Sequence, residues 1–440
     1  MKYTFKGGIH PNDGKAATEN KPIVQLAAPE ELVFPMVQHI GAPCSPCVAV
    51  GDAVKVGQKI GDSDAFVSVP VHSSVSGTVK AIEKRRHPNG SVVECVIIEN
   101  DGLNTMHEDI HAYDDIDALT KDEMIALVRK AGISGMGGAG FPTHVKLNPP
   151  ADKNIDICIV NGAECEPYLT SDHRVMIETP KVVLDGTKLI MKILGVDKAY
   201  IGIEENKPEA ISSMTECAKG YDGIEVKVLK TKYPQGSEKH LIKALTGREV
   251  PSGKLPADVG VVVNNIDTCT AVYNAIAYRR PLISRVVTVS GAGIKEPANY
   301  RVLIGTPFEY VIDSAGGLKE DVAKVVMGGP MMGIAQFDLS VPVVKGTSGI
   351  LAFTEDEVKP KNYSPCIRCG KCVRNCPMGL MPLYINAYAQ ARDVEKCLEY
   401  NIMDCISCGV CSYTCQCEQL PSQNIKLIKD EIIRRRKQVK

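Results

Sequence analysis

The chain has no tryptophan, and phenylalanine occurs only 7 times in 440 residues. Its cores must therefore be aliphatic. No apolar run approaches the ~18 residues that a membrane-spanning helix needs. The opening residues MKYTFKGGIHPNDGK lack the apolar stretch of a signal peptide. Cytoplasmic placement is the expectation, with docking on a membrane partner left open. An excess of one charge is also missing, since 51 Lys and Arg stand against 52 Asp and Glu. That balance gives no electrostatic case for binding nucleic acid. The length exceeds one ordinary core, so several domains are expected.

Cysteine is what the chain has in quantity, with 17 residues. Their clustering argues for metal ligation over disulfides. Cys366-x2-Cys369-x2-Cys372-x3-Cys376-Pro377 is one bacterial ferredoxin run, and Cys405-x2-Cys408-x2-Cys411-x3-Cys415 is a second. Thiolates are soft ligands, and four of them suit a 4Fe-4S cubane. In two-run modules the fourth cysteine ligates the other cluster. One cluster is thus assigned to Cys366, Cys369, Cys372 and Cys415, the other to Cys405, Cys408, Cys411 and Cys376. Paired zinc knuckles are the weaker reading, because zinc does not require this spacing twice. The second run ends Cys415-Gln416-Cys417 without the usual proline, which leaves Cys417 as a competing ligand. Two clusters in one helical module form an electron wire, and a wire implies a redox cofactor elsewhere in the chain.

The expected fold class is multidomain α/β plus β. Residues 1–115 alternate strand-like runs with turn signals, and VGDAVKVGQKIGD followed by VPVHSSVSGTVKAI resembles a barrel-sandwich hairpin of the lipoyl/biotinyl type. Carriers of that type place a Lys at the hairpin tip. Here the tip reads HSSVSG, so a scaffold is expected. Residues 116–283 alternate helices and strands, the sign of an α/β domain. Its first helix carries the capping box Thr120-x-x-Glu123 and ends at Gly132. Residues 284–340 resemble a β-grasp unit of the soluble ligand-binding (SLBB) type. Residues 341–362 read as a linker, and 363–440 as the helical two-cluster module. Its basic tail, KLIKDEIIRRRKQVK, reads first as a solvated helix end, with a partner or lipid headgroups as the alternative.

The stretch GISGMGGAGFPTHVKL contains Gly135-x-Gly137-x-x-Gly140, the dinucleotide fingerprint. A Rossmann loop follows a strand, yet a helix precedes this one. The glycines still let backbone N–H groups converge on a phosphate, Lys146 adds a cation, and Phe141-Pro142 offers a flat apolar wall.

With these residues the chain resembles the NADH-binding flavoprotein subunit of respiratory complex I, through GMGGAGFPTHVK, NGAECEP, YPQGSE and NNIDT. The order of the whole chain, over residues 5–415, is closer still to the RnfC family of Rnf-type complexes, through GGIHP, QHIGAP, GGPMMG and PCIRCGKCVRNCPMGLMP. The resemblance implies a non-covalent FMN with NAD(H) stacked on it. Gly135, Gly137, Gly138 and Lys146 would position the flavin phosphate and ribityl chain. Asn161, Asn264, Asn265 and Thr268 would complete the pocket, and Phe141 would flank the nucleotide. Glu164, Glu166, Gly236 and Glu238 would line the nicotinamide side, and Gly140 and Tyr233 belong to the same cofactor-binding set. Leu147 and Ser237 depart from the family pattern, which has Trp and Glu there. The implied activity is electron exchange between NAD(H) and, indirectly, ferredoxin, with Na⁺ or H⁺ translocation by membrane and iron–sulfur partner subunits. The implied place is the cytoplasmic membrane face, held peripherally. A soluble relative acting as a cobalamin reductase, and a pure iron–sulfur relay with a vestigial pocket, are the alternatives. Cys44-x2-Cys47 reads as unligated thiols; Cys95, Cys158 and Cys217 read as small core residues. His144 and His173 read as satisfied structural histidines, and GGPMMG as a packing turn.

Overall fold

A computed structural model describes residues 3–358 and 362–438. The run Ile157–Gly162 is buried along nearly its whole length, the pattern of a strand covered on both faces. It lies inside a four-stranded parallel sheet between Ala199–Glu204 and Val261–Asn265, with Ile224–Leu229 outermost. Helices Pro180–Leu194 and Ile266–Tyr278 pack against each other and against that strand. Their close approach depends on Gly186, where a Cβ would stand 2.0 Å from the Cys269 carbonyl oxygen. The capping box expected ahead of Lys121–Lys130 is present, with Thr120 and Glu123 bonded reciprocally.

Residues 31–100 form the two small sheets of a barrel sandwich. Glu31–Pro35, Val92–Asn100, Gly77–Arg86 and Ala53–Val54 make one, and Ser45–Pro46, Lys59–Asp62 and Val71–His72 the other. The tip His72–Ser76 is buried, and Ser74 Oγ donates to Ile304 O at 2.7 Å. A tip enclosed in this way leaves no room for a swinging arm.

The third sheet corrects two expectations. Its order is Ile23–Gln25, Ala298–Leu303, Ser284–Ser290, Gly349–Thr354, Val322–Met327, Ile334–Gln336. Gly349–Thr354 belongs to the stretch read as a linker, yet all six of its residues are buried. The Lys, Gly, Thr and Pro around it hid a short apolar strand that has value only once its two partners are in place. Residues 359–361 of that stretch lie outside the described residues. Ile23–Gln25 pairs in parallel with Ala298–Leu303, although it belongs to the span expected to form the barrel sandwich. The arm ahead of it runs over the α/β domain, where Tyr3 bridges Leu229 and Ile9 bridges Tyr233.

The C-terminal module is helical. Ile385, Cys397, Ile402, Ile425, Ile428 and Ile432 form its small core. The last helix, Pro421–Gln438, thus buries one stripe of the basic tail against the cluster-binding segments; residues 439 and 440 lie outside the described residues.

Two substitutions test this packing in thermal unfolding. Gly186→Ala is expected to destabilise by about 1–3 kcal/mol through overpacking of the helix pair. Thr120→Ala is expected to cost only about 1 kcal/mol through loss of the cap. A Gly186→Ala variant as stable as the parent would contradict the helix contact.

Candidate functional site

In a parallel sheet, ligands gather at the carboxyl ends of the strands. Asn161, Asn264 and Asn265 stand at those ends here. Asn265 caps helix Ile266–Tyr278 by accepting from Asp267 N at 2.9 Å, and donates through Nδ2 to Asp172 at 2.6 Å. Asn161 Nδ2 donates to Gly236 O at 2.7 Å. Asn264 is buried, and its Nδ2 has no protein partner.

The glycine loop rises over this edge. Gly135 N donates to Phe141 O at 2.8 Å, and Met136 N donates to Thr268 Oγ1 at 3.0 Å. Lys146 Nζ donates to Val263 O at 2.7 Å and stands 3.8 Å from Glu238. The barrel sandwich braces the loop from the other side. Ile40 N donates to Gly140 O at 3.1 Å, and His144 Nε2 donates to Phe66 O at 3.2 Å. Lys345, from the supposed linker, is buried and donates to both Gly132 O and Pro70 O at 2.7 Å. Residues 137–139 alone in the loop's centre are exposed, and Gly137 has φ +81°. A Cβ at Gly137 would meet the Asn265 amide at 2.8 Å, whereas one at Gly138 would meet nothing within 4 Å. The loop's main chain therefore faces open space beside the Asn265 amide. That arrangement suits a ligand bearing phosphate and hydrogen-bonding ring edges, such as FMN.

The segment Glu164–Leu169 forms the opposite wall. Glu164, at φ +46°, accepts from Asp172 N at 2.7 Å and His173 N at 3.2 Å. It therefore caps helix Ser171–Glu178. Glu166 accepts from Met331 N at 3.0 Å and from the Tyr233 hydroxyl at 3.4 Å. Met331 belongs to GGPMMG, so that turn packs directly on the site. A Cβ at Gly329 would stand 2.2 Å from the Glu166 carboxylate. Burial pushes the Glu166 carboxyl up to about 7, against the pull of the Met331 and Met332 N–H groups and of Tyr233. Burial, then Glu164 and Asp267, also raises Asp172.

Sequence reasoning missed the groups that hold this wall. Lys15 Nζ donates to Glu164 O at 3.1 Å, to Glu166 O at 3.0 Å and to Leu169 O. Lys207 Nζ donates to Ala163 O at 2.7 Å. Gln235 is buried with both amide atoms unpaired. Neither lysine lies in a recognisable motif; the arm's lysine is about 150 positions from the carbonyls it meets, so no local signal exists. His173 corrects its expectation, since both ring nitrogens are buried without a partner. Burial, then Lys207 and Lys15, lowers its pKa to about 4. His144 is satisfied at one nitrogen only.

Cys376, Cys405, Cys408 and Cys411 line one partly open cleft. The gathering of a first-run cysteine with three from the second run is the donor set a four-iron cluster takes. Burial, followed by the adjacent thiols, pushes Cys408 up to about 12 and raises Cys411. Cys366 and Cys369 are exposed, while Cys372 and Cys415 are half-buried and Cys417 is buried. Tyr233 and Cys165 pack with Cys408, Val410 and Met331 in one apolar cluster. The two clefts thus share a wall. Cys44 and Cys47 form no disulfide; Cys44 bonds to the Val69 carbonyl and the Ser68 hydroxyl, and Cys47 to the Lys59 carbonyl. Cys95 and Cys158 are buried and Cys217 half-buried.

Four family models match the chain in this order: an RnfC barrel sandwich hybrid domain over residues 3–103, a Nuo51 FMN-binding domain over 128–274, an SLBB domain over 286–335, and a 4Fe-4S dicluster domain over 359–416. The RnfC-type subunit of a proton-translocating ferredoxin:NAD(+) oxidoreductase complex from Clostridium ljungdahlii is 50% identical, over 92% of this chain and 88% of that protein. Its counterpart in a Na(+)-translocating complex from Acetobacterium woodii is 48% identical, over 99% and 98%. The counterpart in an ion-translocating oxidoreductase complex from Rhodobacter capsulatus is 44% identical, over 92% and 78%. Among solved structures, an NAD+-reducing NiFe-hydrogenase in its H2-reduced state shares the fold at 20% identity, with a TM-score of 0.51 over 71% of this chain and 62% of that one.

The Glu166 carboxyl yields a pH test. Its folded value, about 7, lies above the ordinary 4.5, so the fold binds this proton more tightly than the unfolded chain does. The resulting stabilisation is complete below about 4.5 and is lost as pH rises through about 7. The melting temperature of cofactor-free protein should fall across that window, and Glu166→Gln should make the fall shallower. An unchanged slope would show that Glu166 ionises freely.

Proposed function

The chain belongs to the RnfC family, a subunit family of ion-translocating ferredoxin:NAD(+) oxidoreductase complexes, and from that membership we propose how its two clefts work as one electron path. FMN, when bound, would exchange a hydride, that is two electrons, with NAD(H) and single electrons with 4Fe-4S clusters. The protein's own residues bind and orient. The exposed main chain at Gly137 and Gly138, with Gly135 and Gly140 shaping the loop, takes the phosphate and ribityl end, and Lys146 supplies the cation. Asn161, Asn264, Asn265 and Thr268 fix the ring system, Asn264 through its unpaired amide. Phe141, Glu166, Tyr233, Gly236 and Glu238 shape the nicotinamide side. Positioning of this kind accounts for several kcal/mol of a barrier without any side-chain acid or nucleophile.

The observation that carries the reading is the shared wall. Tyr233 donates to Glu166 and belongs to the apolar cluster that includes Cys408. We therefore place the cluster of Cys376, Cys405, Cys408 and Cys411 next to the flavin. The cluster of Cys366, Cys369, Cys372 and Cys415 faces outward, where two of its cysteines are exposed. That exposed end is the contact for partner iron–sulfur subunits and, indirectly, for ferredoxin. No helix among the described residues is long and apolar enough to cross a membrane. Ion translocation is accordingly assigned to membrane partners, with this chain docked peripherally on the cytoplasmic face.

Loaded protein reduced by NADH under anaerobic conditions and read by EPR tests the order. Cys369→Ser should leave the inner cluster reducible by NADH. Cys408→Ser should abolish reduction of the outer cluster by NADH while dithionite still reduces it. If Cys369→Ser instead blocks reduction of the inner cluster, the order is reversed.

A further inference from the structure

The basic tail reads as a solvated helix end, yet one of its lysines is turned inward. Ile425, Ile428 and Ile432 of helix Pro421–Gln438 are buried in the small core of the cluster module. Lys429 stands four positions after Ile425, on the same side of the helix, and is half-buried. Its ammonium donates to the main-chain oxygen of Cys405. Two cations beside it are answered along the helix, Lys426 by Asp430 at 2.8 Å and Arg435 by Glu431. Among the described residues Lys429 has no such carboxylate, and the Cys405 carbonyl takes its place.

Cys405 opens the second cysteine run. One hydrogen bond and four covalent bonds separate the Lys429 ammonium from the Cys405 sulfur, so the two lie within ~9 Å. At that range a half-buried charge is only partly screened by solvent and salt. The main chain pins the same loop, since Ser407, at φ +55°, donates its N–H to Cys405 Sγ at 3.4 Å. Asp404, the acid next to Cys405, is engaged elsewhere, accepting from the Ser252 hydroxyl at 2.7 Å. The first run repeats the loop with a different cation. Arg368 has φ +53° at the position of Ser407, and Arg374 Nη1 donates to Cys369 O at 3.1 Å. That arginine is exposed and local, five positions from its acceptor, whereas Lys429 comes from 24 positions away and is half-buried. A reduced cluster carries one more negative charge, so a nearby cation stabilises it and raises the reduction potential.

We infer that Lys429 is a positioning residue for the inner cluster: it ties the tail helix to the Cys405 loop and lends a positive charge that holds the potential of that cluster above the value it would have without it. The inference rests on the proposed assignment of Cys376, Cys405, Cys408 and Cys411 to the flavin-side cluster. The charge favours an electron on the flavin side of the pair, because the outer run has only an exposed, better screened arginine in the corresponding role. The basic tail thus acts inside the molecule, on the cluster beside the nucleotide cleft.

The test is an EPR-monitored redox titration of protein loaded with FMN, iron and sulfide, with the signal that Cys408→Ser removes taken as the inner cluster. In Lys429→Met the inner midpoint should move to more negative potential, with the outer cluster moved less. Lys429→Gln keeps a donor for the carbonyl but no charge, and should shift the midpoint in the same direction. Lys429→Arg should restore the parent value. An inner midpoint unmoved in Lys429→Met, an equal shift of both clusters, or a shift in Lys429→Arg as large as in Lys429→Met overturns the inference. If Lys429→Met fails to load, Lys429→Gln decides, and an unmoved midpoint there overturns it. A shift confined to the other signal would show that Cys405 ligates that cluster, which sinks the ligand assignment and the inference with it. Two unmoved midpoints sink the role of Lys429 alone.

Discussion

A buried ammonium group has three hydrogens to satisfy and several kcal/mol of lost hydration to offset. Lys15 meets that demand with the carbonyls of Glu164, Glu166 and Leu169. Lys207 does the same from the other side, through Ala163 O and the Glu204 carboxylate at 3.5 Å. Between them the two lysines fix the segment that carries Glu164, Cys165 and Glu166. The remaining contacts of this wall are built on that segment. Glu164 caps the next helix, Cys165 accepts from Gly236 N at 3.2 Å, and Glu166 anchors the GGPMMG turn and Tyr233. A carbonyl left unbonded there would cost about 1–3 kcal/mol, so the segment has little freedom while Lys15 is in place.

This explains why the modules are interleaved and not strung in a row. The N-terminal arm delivers Lys15, bridges the edge of the α/β sheet and touches the cluster module, where Gly8 N donates to Asn375 O at 2.9 Å. The barrel sandwich buries its hairpin tip and steadies the glycine loop. The six-stranded sheet contributes Met331, whose carbonyl oxygen lies so near Gly409 that a Cβ there would meet it at 2.8 Å. Lys345 repeats the device of the other lysines at the start of the glycine loop. Four modules thus converge on the wall between nucleotide and thiols, and electron transfer needs that wall rigid.

What the sequence revealed follows from the range of the forces involved. The cysteine runs, the capping box at Thr120 and Glu123, and the glycine loop are local patterns whose spacing is itself the chemistry. They were legible residue by residue. Gly349–Thr354 and Ile23–Gln25 were not, because a six-residue or three-residue strand is specified by partners far along the chain. The capping of helix Ser171–Glu178 by Glu164 carries no local signal, because the Asp172 and His173 N–H groups it meets lie 8 and 9 positions further on. Lys15 carries no motif at all, and its role appears only when its side chain is seen against carbonyls from a distant segment.

The central claim is that Lys15 holds the wall through which the nucleotide cleft and the inner thiols communicate. Lys15→Met keeps the volume but removes the ammonium. The decisive measurement is the rate at which NADH reduces the clusters of the loaded variant, beside the rate with dithionite. The account predicts a loss of about tenfold or more with NADH, the factor that ~1.4 kcal/mol of lost positioning produces, and no change with dithionite. Reduction by NADH at the parent rate would contradict it.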